Sequence, residues 1–318
     1  MALAMLFLVG CGAFEAGLTQ VPPPGTPPPP CYKVWKPETS SSPMTCAVTC
    51  TTLVLDQLLF PTDSTESEMT ALSCNDKKYN ALGGIMALLV SQMPDMKVQI
   101  NLDRAVRSGL TLNLLRYQAA PGQDKIQAQF QPAASQVCCK DPADLVSCEE
   151  EASKGCFSGK HAFTLDPKAS PGEVLEGTSI NGKLSLNPGT VRLRLSLLSP
   201  VPLELPLYGA QVRGAISPDG IANGIISGAV DKQSMDTVLI PHIANLINLV
   251  YTDSKTDQRT KDLQKTLFDT DKDGKITAAE LKNNGLARSL LSGDVDLDGD
   301  GIMELSMGFG FTAVPAKL

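Results

Sequence analysis

Residues 269–280 read DTDKDGKITAAE, with carboxylates at the first, third, fifth and twelfth places and glycine at the sixth. Alternating acids on one short turn repel each other unless a cation joins them. A hard dication the size of calcium takes about seven oxygens at roughly 2.4 Å. This spacing supplies them: the carboxylates of Asp269, Asp271 and Asp273, the backbone carbonyl of Lys275, Thr277 through water, and both oxygens of Glu280. Gly274 stands where the chain must turn with positive φ, which a residue lacking Cβ does without steric cost. A polar loop that merely alternates Asp has no reason to carry Gly and Glu in the same register.

A second acidic segment, DVDLDGDGIMEL, runs from Asp294 to Leu305, and its acids Asp294, Asp296, Asp298, Asp300 and Glu304 meet no Lys or Arg within it. From Asp296 the DxDxDG spacing recurs with Gly301, and Ile302 falls at the place of Lys275. The twelfth place falls on Met307, so Glu304 is the nearby acid left to close the set. We expect calcium here as well. The first loop fits the EF-hand loop pattern at every diagnostic position, with Ile276 where a short β-bridge to a partner loop would form. The flanks depart from that pattern. Lys265 takes a place usually apolar, and Asn283, Asn284 and Gly285 cut the exit helix short. A sensor must open a helix pair, so a truncated exit helix suits a structural site better.

Elements that must hold these loops follow from periodicity. The β-branched run 48–60 predicts a strand, followed by the polar turn 61–68 (PTDSTESE). Helical spacing covers 78–92 and 97–107, the latter stopping at Ser108 and Gly109, and 110–118 with 124–131 predict a hairpin. The acids 149–151 read as a solvated face. SINGKLSLNPG carries an Asn-Gly turn signal. In 190–198, Val191, Leu193, Leu195 and Leu197 alternate with Arg192 and Arg194; in 201–212, Val201, Leu203, Leu205 and Leu207 share a face, with Pro202 and Pro206 outward on an edge or bulged strand. These predict antiparallel strands with one wet side. Gly214, Gly220, Gly224 and Gly228 then punctuate short strands, helices return at 235–251 and 255–268, and 305–314 alternates as a strand. The expected fold is α+β and β-rich, an antiparallel sandwich or barrel-like sheet with a C-terminal helical EF-hand module (about 253–304) and a closing strand.

Met1 to Gly10 form a short apolar run ending in Leu8, Val9, Gly10 and Cys11. This resembles the lipobox of bacterial lipoprotein signal peptides, which implies cleavage before Cys11 and its acylation, although no Lys or Arg precedes the run. Residues 11–30, ending in PPPGTPPPP, read as a polyproline tether of roughly 3 Å per residue. Eight further cysteines, Cys31, Cys46, Cys50, Cys74, Cys138, Cys139, Cys148 and Cys156, form an even set expected to make four disulfides in an exported chain. Adjacent Cys138 and Cys139 should take different partners. All eight precede residue 157, dividing the body into a disulfide-rich α/β region (31–158) and a β-rich region (159–318) that needs another fastening. Across 318 residues, 42% are apolar and the formal charge is −7, which disfavours nucleic acid and anionic membrane surfaces as partners.

The two loops, LKNNGLARSLL between them, SMGFGFTAVPA, the lipobox and YNALGG together make the chain similar to EF-hand lipoproteins of myxobacterial type. The resemblance implies an anchored calcium-binding surface protein with no known activity, and Gly12 after Cys11, in place of the Asp that marks inner-membrane retention, points to the outer membrane, facing the periplasm or the surface. The expectation is a calcium-binding envelope lipoprotein, meeting the membrane through its lipid and another envelope protein through its body. A carrier of apolar ligands, its cavity lined by strands at 184–207, is the alternative. A hydrolase is disfavoured: neither GxSxG nor HExxH occurs, and neither His161 nor His242 has a recognisable partner.

Overall fold

Period-two apolar patterns draw eight segments, spread from Thr51 to Ala316, into one sheet. The structure is a computed structural model describing residues 31, 42–46, 50–92, 98–120, 124–196, 201–252 and 258–318. The lipobox with Cys11 and the proline-rich tether lie outside these residues. The strands are β1 (Thr51–Leu59), β2 (Leu72–Cys74), β3 (Lys77–Tyr79), β4 (Asn113–Ala119), β5 (Lys125–Pro132), β6 (Leu175–Ile180), β7 (Lys183–Leu195), β8 (Leu203–Ser217), β9 (Gly220–Val230) and β10 (Leu305–Ala316). Among the described residues, eight of them close an antiparallel barrel in the order β1-β10-β9-β8-β7-β6-β5-β4, with β4 returning to β1, while β2 and β3 form a separate hairpin. Closure removes the open edges that a flat sheet would expose.

The predicted disulfide-rich and β-rich regions both supply barrel strands, and one apolar core runs through both. Inside, Phe130 of β5 and Phe311 of β10, strands that are not neighbours in the sheet, meet edge to face with ring centres 6.3 Å apart. A Cβ on Gly224 would collide with the Phe311 ring, so this glycine makes room for it. Leu193, Leu205 and Leu207 are fully buried. Among the described residues, the α-helices of six residues or more are α1 (Ser64–Thr70), α2 (Ala81–Gln92), α3 (Val98–Arg107), α4 (Leu145–Lys154), α5 (Ile240–Thr252), α6 (Gln258–Phe268), α7 (Ala278–Asn283) and α8 (Gly285–Leu290). A π-helical stretch, Met235–Leu239, leads into α5 and buries Met235 and Leu239.

Several expectations need correction. The segment 61–68 is not a free turn: Asp63 accepts from the Glu66 N–H and caps α1. The glycines at 214–228 do not separate short strands but lie along the long β8–β9 hairpin. β8 is paired on both sides and bulged, not an edge; the β8–β9 register begins at Tyr208, so Pro206, opposite Arg192 of β7, lies beyond the β9 ladder. The outward face of β7 is not wet at Arg194, whose guanidinium is buried against Asp166 and Glu204 and donates to the Ala133 carbonyl at 2.8 Å. Hydrogen bonding from Arg194 holds the Asp166 carboxyl below its ordinary range.

The cysteines pair as Cys31–Cys74, Cys46–Cys50, Cys138–Cys156 and Cys139–Cys148, so the adjacent two do take different partners. One structural device recurs: a carboxamide side chain donates to a backbone carbonyl and accepts from a backbone N–H of the same residue, as a neighbouring strand would. Asn80 does this to Gly308 (3.2 and 2.8 Å), Asn113 to Arg194 (2.9 and 2.7 Å) and Gln211 to Ser73 (2.9 and 3.4 Å). Buried backbone groups need such partners, because an unpaired one costs about 1–3 kcal/mol.

Candidate metal centres

Helix α6 ends at Phe268, whose ring is buried in the main core, and this places Asp269 at the rim of that core. The chain turns through Lys272 (φ 61°) and Gly274 (φ 83°) before α7. A reciprocal cap starts α7: Thr277 Oγ1 accepts from the Glu280 N–H at 3.2 Å, and the Thr277 N–H donates to Glu280 Oε2 at 2.8 Å. Glu280 is thereby turned back over the loop, where Oε1 accepts from the Thr270 N–H at 2.6 Å and the Asp271 N–H at 3.4 Å. Burial acts to raise the Glu280 carboxyl, but these hydrogen bonds outweigh it and hold it below its ordinary range. It is therefore a carboxylate at neutral pH.

Asp269, Asp271 and Asp273 each bring a carboxylate oxygen within 4.8 Å of the others. Asp269 is only 6% exposed; its Oδ2 accepts from the Gly274 N–H at 3.0 Å, whereas its buried Oδ1 has no hydrogen-bond partner. A buried, unpaired carboxylate oxygen beside two further acids is strongly unfavourable without a positive partner. Asp273 accepts from the Lys275 N–H at 2.7 Å, and the Asp273 N–H donates to Asp271 Oδ1 at 3.1 Å. Thr277 differs from expectation: its hydroxyl is engaged with Glu280 Oε2 at 2.9 Å, so its side chain positions a carboxylate instead of facing the turn through water.

The second loop repeats the first over its first seven places. Gly299 (φ 85°) and Gly301 (φ 82°) turn the chain where Lys272 and Gly274 do. The Gly301 N–H donates to Asp296 Oδ2 at 3.3 Å, the Asp300 N–H to Asp298 Oδ1 at 3.2 Å and the Ile302 N–H to Asp300 Oδ1 at 2.7 Å, matching the three bonds of the first loop. Asp296, Asp298 and Asp300 again bring oxygens within 4.8 Å of one another. Glu304 then fills the part that Glu280 plays: its Oε2 accepts from the Leu297 N–H at 2.9 Å, the amide corresponding to Thr270. Burial, reinforced by the charges of Asp298 and Asp296, pushes the Glu304 carboxyl up to about 7.

Asp294 is a correction. Its side chain accepts from the Ser306 N–H at 2.8 Å and the Ser306 hydroxyl at 2.6 Å, and it is not brought to the triad. It pins the start of β10 instead. The loop closes through a bridge between Val295 and Glu304, and Val295 and Leu297 bury on either side of Asp296 in a second apolar cluster with Leu72, Cys74 and Ala229. The Cys31 N–H donates to the Asp296 carbonyl at 2.9 Å, so the disulfide-bonded part of the chain reaches this loop after all.

Sequence reasoning missed two positioning residues. Asn284 was legible only as a helix stop; it caps α8 through Leu286 and Ala287 and also donates to the Leu267 carbonyl at 2.7 Å, tying the exit of the loop to its entry. Asn248 of α5 holds Ile276 where a partner loop was expected, donating to its carbonyl at 2.6 Å and accepting from its N–H at 2.9 Å. An Asn on an apolar helix carries no sequence signal for that. Compared with protein-family profiles, curated proteins and solved structures, the chain matches none.

Proposed function

We propose that this chain is a lipid-anchored, calcium-binding protein of the cell envelope in which calcium is structural. In this reading 258–283 is a short EF-hand, with Asp269, Asp271, Asp273, the Lys275 carbonyl and Glu280 as ligands. Asp296, Asp298, Asp300, Ile302 and Glu304 form a second, shortened site. The observation that carries it is the buried, unpartnered Asp269 Oδ1 inside a cluster of carboxylates over which Glu280 is already folded. Oxygen-only ligands in this number suit calcium better than a transition metal, which prefers nitrogen or sulfur.

Four disulfides agree with an exported protein, and Cys11 would supply the membrane anchor through its lipid. Another envelope protein is the expected partner of the body, and no catalytic role is proposed. Core side chains meeting across the barrel give the apolar-carrier alternative no support. The reading is tested by titrating terbium or calcium into the chain and its Glu280→Gln variant. Removing that charge should weaken binding by orders of magnitude; an unchanged isotherm would remove Glu280 from the site. Cys11→Ser should release the protein from membranes, and persistent attachment would refute the anchor.

A further inference from the structure

We infer that Asn248 stands in for a second calcium hand, so that loop 269–280 is a self-sufficient site whose geometry is set from helix α5; this rests on the calcium reading of that loop. Ile276 lies between Lys275, whose carbonyl is the proposed seventh-place ligand, and Thr277, which caps α7 and grips Glu280. Whatever fixes the Ile276 backbone therefore fixes the ligand carbonyl on one side of it and the residue that grips Glu280 on the other. That backbone offers one N–H and one C=O, the pair through which a strand or second loop would add on. Both are taken: the N–H by Asn248 Oδ1 at 2.9 Å and the C=O by Asn248 Nδ2 at 2.6 Å. The same two-point carboxamide contact joins Asn80 to Gly308 and Asn113 to Arg194 within the barrel, where it replaces a strand neighbour.

Asn248 is well placed to be a fixed reference. Its neighbour Ile247 is fully buried in the main core, the Ile276 side chain is only 3% exposed in that same core, and α5 continues the π-helical stretch that buries Met235 and Leu239. Asp236 on that stretch pairs with Lys282 of α7 at 3.3 Å, a second link between the loop's exit and the same support. The other acidic loop bridges within itself, Val295 to Glu304, and Asn248 leaves no Ile276 backbone group for it to pair with. Asn248 is thus a positioning residue: it touches no proposed ligand oxygen, yet it holds the residue between two contributors to the site. Two consequences follow. Affinity at this loop should depend on a side chain outside the loop, and calcium should not recruit a second copy of the chain through Ile276.

The test uses the full chain with calcium and terbium. Asn248→Leu keeps the branched shape of the side chain and removes both hydrogen bonds; Asn248→Ala is the second variant should packing of the larger side chain disturb α5. Each should weaken binding at this loop by roughly tenfold, the scale of about one net hydrogen bond. Calcium should no longer slow hydrogen exchange at the Ile276 amide, while exchange at Leu281 and Ala287 without calcium stays as in the parent. The calcium-loaded parent should sediment as a monomer. Parent-like affinity with a still-protected Ile276 amide in both variants would overturn the inference, as would a calcium-dependent dimer that Glu280→Gln abolishes. A parent chain that takes up no calcium would instead overturn the reading of the loop itself, and this inference with it.

Discussion

Loop 269–280 is closed by Glu280 in the first turn of α7, whereas the loop beginning at Asp296 is closed by Glu304, immediately before β10. Both acids accept from the second-place amide of their own loop, yet one stands at the twelfth place and the other at the ninth. The following element explains the difference. A helix reverses direction within its first turn, so an acid three residues into it can swing back over the loop; a strand runs straight away, so the closing acid must come before it. Surroundings differ too. The first loop leans on the main core through Phe268 and Ile276, the second on the smaller cluster around Cys74, next to the Cys31–Cys74 disulfide. The spacing rule for the closing glutamate is thus a property of the loop together with its exit, not of the loop alone.

The largest test of that pairing removes calcium from both loops. Ligand at a hundredfold excess over Kd stabilises by about 2.7 kcal/mol per site, so chelation should lower Tm by on the order of ten degrees and raise exchange in Ser306–Val314. Identical exchange with and without chelator would break the structural role. Next in size, Asp296→Ala with Asp298→Ala should loosen the start of β10 while the first loop stays loaded, and Glu280→Gln should leave β10 exchange unchanged. Loss at β10 from Glu280→Gln would show that the two loops act as one. Glu304→Gln sharpens the comparison: it should weaken the second site as Glu280→Gln weakens the first, which calcium titration reads directly. Within the calcium-free protein, the raised Glu304 carboxyl binds its proton more tightly folded than unfolded. Stability should therefore fall as pH rises from about 4.5 to about 7, a trend that thermal melts in chelator would fail to show if the carboxyl is not buried.

The smallest expected effect lies away from both loops. Asp166→Asn should cost about 1 kcal/mol with or without calcium, because only the Arg194 contact is lost. Its contribution is present above the unfolded Asp value near 4 and disappears as pH falls through the lower folded value. A calcium-dependent loss in this variant, read by melts with and without chelator, would mean that the Arg194–Asp166 pair and the loops are coupled.

Much of the fold was legible from alternation: the hairpin β4–β5, the Asn-Gly turn joining β6 to β7 and the closing strand β10 all stand where periodicity puts them. Barrel closure was not, because β1 meeting both β4 and β10 is a contact between distant parts of the chain that no local pattern encodes. Arg194 read as solvated since neither partner is its neighbour in sequence: Asp166 is 28 residues away, and Glu204 faces it only once β7 and β8 pair. The two acidic triads were legible residue by residue, since their chemistry lies within single turns. Asp294 was wrongly grouped with them because sequence adjacency cannot tell a ligand from a carboxylate claimed by Ser306. Asn248 was invisible for the opposite reason, being 28 residues from the backbone it holds.

The central claim, that two loops of unequal closure each take one calcium, is tested most directly by calorimetric titration of the full chain beside Glu280→Gln and Asp296→Ala/Asp298→Ala. Two calcium ions per parent chain and one per variant, with the remaining site kept at its parental affinity, is the expected result. Uptake of fewer than two by the parent, or two ions still bound after either change, would contradict it.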